Sequence, residues 1–241
     1  MVNWRTFGAS VIGPGHIRAE LPNQDSFSIK DASDSVCIAV SDGVGSAAQS
    51  DVGSKLACEA VVEAVERLAG DARAFDFGSF LPEIKENFMR KVSPLTIEEC
   101  AATCLFAVCY AGNVAVGMLG DGVIAIQKCD GRFEVLMDDK SESFSNLVAT
   151  FAADTSVDDW KVRVLPEAEC RAVVLCTDGI GDDLQDVEGF MNGFIEEFVM
   201  MDETDFAHEV QALLTNWPTP KHCDDKTIAC LLRKEVAHEG I

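Results

Sequence analysis

One pattern occurs twice in this chain. Ile38-Ala39-Val40-Ser41-Asp42-Gly43-Val44-Gly45 is echoed by Val174-Leu175-Cys176-Thr177-Asp178-Gly179-Ile180-Gly181. Each copy is an apolar run of the buried-strand kind, followed by a hydroxyl residue, Asp-Gly, an apolar residue and Gly. A single Asp-Gly is a common turn pair and constrains little. Recurrence constrains more. A third apolar run ends at Gly120-Asp121-Gly122, Asp224-Asp225 stands before the last one, and Asp25 precedes another apolar patch. Glycine beside a carboxylate lets backbone or ligand approach closely and leaves a carbonyl free.

The runs themselves predict strands at Phe7–Ile12, Val36–Val40, Thr103–Tyr110, Val114–Leu119, Val123–Gln127, Phe133–Met137, Ala172–Cys176 and Thr227–Leu232. Ala111-Gly112-Asn113 and Cys129-Asp130-Gly131 read as hairpin turns, so the middle of the chain is expected to be an antiparallel meander. Helices are expected in three places. Ser46 and Gln49 have capping-box spacing before Val61, Val65 and Leu68, and that helix should run to Gly70. A second spans Pro82–Arg90, with proline near its first turn. The third region, Val187–Asn216, is broken by Gly193 and carries Phe206, Val210, Leu213 and Leu214 on one face. Strands clustered between helical stretches, without βαβ alternation, give an α+β fold with mainly antiparallel sheet. No Pro/Ser-rich linker interrupts the chain, so residues 1–241 are expected to form a single domain. The polar stretch Asp138–Trp160 reads as a surface flap beside a site, or as a plain connecting loop.

Charge narrows the partners. With 41 acidic and 19 basic residues the formal charge is −22, which repels phosphate backbones and anionic lipid, so neither nucleic acid nor membrane is expected. Cations and basic protein segments suit such a surface. Met1–Ser10 lacks a long apolar stretch, so neither a signal peptide nor a membrane span is expected, and the location is expected to be cytoplasmic. The ten cysteines are scattered, several within apolar runs, as reduced buried thiols would be. Cys100 and Cys104 have neither a second pair nor a histidine partner, which argues against zinc.

Carboxylates gathered at strand ends repel one another and resist ionisation unless a cation neutralises them. Oxygen ligation without His or Cys selects hard ions such as Mg²⁺, Mn²⁺ or Ca²⁺. The twelve-residue loop of a calcium sensor is absent. Two such ions about 3.5–4 Å apart, sharing a carboxylate, suit phosphoester hydrolysis by a bridging hydroxide.

Asn23-Gln24-Asp25, Ser41-Asp42-Gly43-Val44-Gly45, Gly120-Asp121-Gly122, Thr177-Asp178-Gly179 and Asp224-Asp225-Lys226-Thr227 occur in the order typical of the metal-dependent protein phosphatases of type 2C, which the chain resembles from Trp4 to Leu232. Gly13-Pro14-Gly15-His16 and Leu21-Pro22-Asn23-Gln24-Asp25 look like the bacterial branch that holds the third enterobacterial member. The resemblance implies an α-β-β-α sandwich and a phosphoserine/phosphothreonine phosphatase using two Mn²⁺ or Mg²⁺ ions, with a weaker third site. It implies that Asp42 bridges both metals, with the Gly43 carbonyl on one, and that Asp178 and Asp224 complete the other shell. Asp25 would hold a coordinated water, and Asp121 with Asp178 would form the third site. The implied partners are proteins phosphorylated on serine or threonine, and a partner kinase.

Three departures stand out. The family's Gly-Asp-Ser-Arg is here Gly120-Asp121-Gly122-Val123. Asp225 replaces the usual Asn and adds charge beside the metals. The family's phosphate-binding arginine lies five residues before the motif aspartate, whereas Arg18 lies seven before Asp25, which leaves Arg18 and His16 as alternatives. His208, His222 and His238 carry no motif. Two other readings share the motifs: a phosphatase fold kept as a binding module with little catalysis, and an esterase for small phosphoesters.

Overall fold

The inner strands are apolar along almost their whole length because both of their faces are covered. This is a computed structural model, and it describes residues 3–68, 75–137, 148–218 and 223–234. The chain opens with β1 (Trp4–Val11), α1 (Pro14–Ala19), β2 (Asp25–Asp31), β3 (Ser35–Asp42), α2 (Ser50–Leu68) and α3 (Phe77–Val92). It continues with β4 (Cys104–Tyr110), β5 (Asn113–Leu119), β6 (Val123–Lys128), β7 (Phe133–Met137), β8 (Lys161–Pro166) and β9 (Cys170–Cys176). Short α4 (Asp178–Gly181), then α5 (Val187–Val199), α6 (Phe206–Thr215) and β10 (Lys226–Arg233) complete it.

Two antiparallel sheets form, in the orders β1-β10-β9-β6-β7 and β2-β3-β4-β5-β8. Alternate residues point to opposite faces. Ile38, Val40, Leu105, Val116, Leu175 and Leu231 therefore fill the space between the sheets. Cys37, Ala39, Phe106 and Val108 face the other way, onto Val61, Val65, Ile84 and Phe88 of α2 and α3. The second sheet turns Phe7, Val174, Ile228 and Cys230 onto Phe194, Phe198, Phe206 and Val210 of α5 and α6. The result is the expected α+β sandwich of two antiparallel sheets between helical layers.

The meander needs correction. β4–β5 and β6–β7 are hairpins, but they belong to different sheets. The crossing is made at Gly120-Asp121-Gly122, where Gly120 and Gly122 have φ of +100° and +109°. A Cβ on Gly122 would lie 2.7 Å from the Cys176 carbonyl oxygen, so the serine of the family pattern is excluded sterically. The β4–β5 turn is as expected: Ala111 and Gly112 both have positive φ, giving the tight two-residue hairpin.

Strands β2 and β8 were not anticipated as such. Both are edge strands, and their alternating polar residues, such as Lys161 and Arg163, blunt an open edge at the expense of a clear apolar signal. Helix starts also differ. α2 begins at Ser50 rather than Ser46, because residues 45–49 are turns; the Gln49 N–H donates to the Glu99 carbonyl at 2.8 Å. Its expected end at Gly70 lies outside the described residues. α3 starts at Phe77, capped by Asp76, whose carboxylate accepts the Gly78 and Ser79 N–H at 3.1 and 3.0 Å. Pro82 is therefore inside the helix. Gly193 does not break α5; it lies on the exposed face, and burial of Met191, Phe194 and Phe198 outweighs its ~1 kcal/mol propensity cost. The break falls after Val199 instead.

Of the stretch Asp138–Trp160, residues 138–147 lie outside the described residues. The remainder is anchored rather than a free flap. Phe151 is buried and stacks on Phe88 with ring centroids 4.3 Å apart. Trp160 is buried against Phe106, and Lys85 Nζ donates to the Ala153 and Thr155 carbonyls at 2.7 and 2.8 Å. Truncating such an aromatic leaves a cavity beside α3. Phe151→Ala should destabilise the protein by about 3–5 kcal/mol in chemical denaturation, whereas a solvated loop residue would cost about 0.5 kcal/mol or less.

Candidate active site

The repeated aspartates meet at one end of the sandwich. Asp42 ends β3 and is paired in register with Asp25, the first residue of β2. Asp178 opens α4 where β9 ends, and Asp224 stands two residues before β10. Asp121 sits at the tip of the crossing between β5 and β6. A cleft of about 600 Å³ is lined by His16, Gln24, Asp42, Gly43, Asp121 and Asp178, with Asp224, Ser46, Thr103 and Thr150 also on its walls. A hollow of about 400 Å³ at the opposite end, against Trp4 and Tyr110, contains none of the repeated aspartates.

The hydroxyl preceding each Asp-Gly has a structural reason. Ser41 Oγ donates to the Thr103 carbonyl at 2.6 Å, and the Asp42 N–H donates to Thr103 Oγ1 at 2.9 Å. In the second copy, Thr177 Oγ1 donates to Asp25 Oδ2 at 2.7 Å and accepts the Thr227 N–H at 3.1 Å. Glycine after each aspartate permits close passage: a Cβ on Gly43 would lie 2.2 Å from the Ser50 carbonyl oxygen, and one on Gly179 would lie 1.9 Å from that of Asp225.

Asp42 feels all the others. Burial, then the charges of Asp25, Asp178, Asp224 and Asp121, hold its carboxyl well above the usual carboxylate range. Burial pushes Asp25 up to about 8; hydrogen bonds from Thr177 and Thr227 pull it back, while the Asp225 and Asp178 charges reinforce the rise. Among the described residues no group of three or more His, Cys, Asp or Glu is gathered tightly enough to hold a metal ion as it stands. The donor set nevertheless fits a hard divalent cation. It is all oxygen, it faces one cleft, and the repulsion that raises Asp42 is what a cation would remove.

Asp225 has a role that was not legible in the sequence. It is 2% exposed, and its carboxylate does not face the cleft aspartates as a free charge. Oδ1 accepts the Gly13 N–H at 2.6 Å, and Oδ2 accepts the Gln24 N–H at 2.6 Å and meets His16 Nδ1 at 2.8 Å. The carboxylate thus binds both ends of the α1 loop to the start of β10. Of the two phosphate candidates, His16 lines the cleft. Arg18 is exposed and donates to Cys223 Sγ at 3.0 Å. His208 lies exposed on α6 beside Glu209, and His222 and His238 lie outside the described residues.

A family model described as protein phosphatase 2C matches residues 12–216. The chain belongs to that family. Solved structures of the same fold include a bacterial serine phosphatase, 15% identical, covering 98% of this chain and 99% of its own, with a TM-score of 0.66. The serine/threonine phosphatase Stp1 from Staphylococcus aureus is 14% identical over 98% and 96% of the two chains, with a TM-score of 0.63. The catalytic domain of the serine/threonine phosphatase PstP, in complex with two manganese ions, is 15% identical over 97% and 100%, with a TM-score of 0.58. At these identities the likeness establishes the fold. No curated protein sequence matches the chain.

The buried carboxyls dictate how the metal-free protein responds to pH. Asp25 titrates near 3.8 when unfolded and near 8 in the fold. Its folded value is raised, so the stability Asp25 contributes is fully present below about 4 and is lost as pH rises towards about 8. With chelator present, the melting temperature should fall across that window. Asp25→Asn, which mimics the protonated acid, should flatten the fall, and added Mn²⁺ should reverse it. An unchanged slope in the variant would show that the titration lies elsewhere.

Proposed function

We propose that the chain is a metal-dependent phosphoserine/phosphothreonine protein phosphatase acting at the aspartate cleft. The observation that carries this is the convergence of Asp25, Asp121, Asp178 and Asp224 on the Asp42 carboxyl, in a chain of the 2C family. The cofactor is Mn²⁺ or Mg²⁺, as in the family, whose relative PstP holds two manganese ions. Asp42, the Gly43 carbonyl, Asp178 and Asp224 would hold the metals, with Asp121 and Asp178 at a third position. When bound, the ions turn water into a nucleophile near neutral pH and shield the phosphoryl oxygens.

The chain's own residues do the rest. Asp25, gripped by Thr177, can accept a hydrogen bond from water at the cleft floor. Ser41 and Thr177 fix the strand ends so that the carboxylates keep their relative positions. Arg18 and His16 are the alternatives for meeting the substrate phosphate, and of the two His16 lines the cleft; with His16 at the leaving oxygen, Arg18 is left for the phosphate. The substrates are phosphorylated proteins. A charge of −22 attracts basic segments around the phosphorylated residue, and a kinase of opposite activity is the partner that such a reaction requires. All 241 residues act as one domain, in the cytoplasm, where cysteines stay reduced; most of the ten cysteines are buried in the fold. Described helices include none long and apolar enough to cross a membrane. A finer likeness, to the branch holding the third enterobacterial member, rests on Gly13–His16 and Leu21–Asp25.

A second reading, a phosphatase fold kept as a binding module, draws on Gly122 and Val123 standing where the family carries Ser-Arg. The two separate cleanly. Asp42→Asn or Asp178→Asn should reduce Mn²⁺-dependent hydrolysis of p-nitrophenyl phosphate to background, while calorimetry on the unaltered protein should show metal binding together with turnover. Full activity in either variant contradicts the assignment, and metal binding without turnover favours the module.

A further inference from the structure

We propose that His16 is a catalytic residue of this phosphatase reaction, delivering a proton from Nε2 to the serine or threonine oxygen as it leaves phosphorus, and that Asp225 positions it. This rests on the phosphatase reading above and extends it to the leaving-group side of the reaction.

The geometry is that of an oriented imidazole. Asp225 is 2% exposed, and two backbone N–H groups, those of Gly13 and Gln24, hold its oxygens at 2.6 Å. A carboxylate fixed in this way accepts from Nδ1, 2.8 Å away, and thereby sets the ring's orientation; the reaction uses the imidazolium form, whose second proton is on Nε2. Nε2 has no hydrogen-bond partner among the described residues. The His16 side chain is 20% exposed and shares the cleft wall with Asp42, Asp178 and Asp224. Those carboxylates accept hydrogen bonds or bind cations, and Thr103 Oγ1 is engaged by the Asp42 N–H. His16 is the imidazole on the cleft wall, and imidazole is the side chain best suited to give up a proton near neutral pH.

The step balances. The oxygen of the attacking water forms the new P–O bond while the bond from phosphorus to Oγ breaks. The Nε2 proton passes to Oγ and yields the free alcohol. The proton shed by the attacking water recharges the ring through solvent, and phosphate leaves. A seryl alkoxide is a far stronger base than 4-nitrophenolate, so proton delivery matters for the first and little for the second.

That difference is the test. The unaltered protein, His16→Asn and Asp225→Asn are compared at fixed Mn²⁺ on a phosphoserine peptide and on p-nitrophenyl phosphate. His16→Asn should lower kcat/KM on the peptide by about 10²–10⁴-fold, the range for general acid catalysis, and by at least tenfold less on the aryl ester. Asp225→Asn should lose about 10-fold or more on the peptide, chiefly in kcat, with the same preference. Aryl ester turnover in each variant reports that the cleft is folded. Equal losses on both substrates, or an undiminished rate on the peptide, overturn the proposal and leave the phosphatase reading standing. An unaltered protein inert on both substrates sinks that reading, and this proposal with it.

Discussion

Negative charges crowded against one another at the edge of a dry core are the constraint around which this molecule is arranged. Asp25 and Asp42 face each other across adjacent strands, a pairing that two like charges disfavour in any sheet. Asp178, Asp224 and Asp121 add to the strain on the Asp42 carboxyl. The surrounding structure holds them there. Thr103, Thr177 and Thr227 bind strand ends to strand ends, and helices cover both outer faces of the sandwich, so the aspartates cannot drift apart without unpacking apolar residues that are fully buried. A divalent cation bound there would relieve that repulsion, which is how the fold would be linked to its chemistry.

The same ends of the strands receive the α1 loop. Gly15 donates its N–H to the Cys223 carbonyl at 2.8 Å, and Gly13 passes so close to Asp224 that a Cβ there would lie 2.3 Å from its backbone carbon. These contacts, with the buried Asp225 carboxylate, tie a segment near residue 15 to one near residue 224. The family pattern that the sequence resembles has an asparagine at that position. An aspartate there can accept three hydrogen bonds at once, two from backbone and one from an imidazole, which an amide with a single acceptor oxygen cannot match.

Much of the architecture was legible in the sequence, because the strands are long apolar runs and the turns carry their glycines. Strand ends moved by a residue or two at most of the expected positions, which is where hydrogen-bonding criteria differ in any case. What was not legible is instructive. Which sheet a hairpin joins depends on contacts between strands far apart in the chain, so the separation of β4–β5 from β6–β7 could not be read locally. β2 and β8 escaped because edge strands carry polar residues by design. Gly193 misled because a propensity of about 1 kcal/mol yields to aromatic burial. At the site, the repeated Asp-Gly pattern drew attention to aspartates at strand ends, and the structure brings Asp25, Asp42, Asp121, Asp178 and Asp224 into mutual influence. The function of Asp225 was hidden, since one Asp beside another says nothing about which way each side chain turns. Gln24 and Thr150 on the cleft wall carried no signal beyond their neighbourhood.

The place of β10 in its sheet has a consequence for biosynthesis. It is the tenth strand in chain order among the described residues, yet it lies between β1 and β9 and pairs with both over long registers. The first strand therefore has no neighbour in its own sheet until residues 226–233 have left the ribosome. Asp224 arrives in the same stretch, so a chain synthesised only up to that stretch lacks one wall of the cleft as well as an inner strand of a sheet. Vectorial synthesis, which lets many domains fold from the N-terminus onward, here leaves the aspartate cleft unassembled until residues 224–233 have been made.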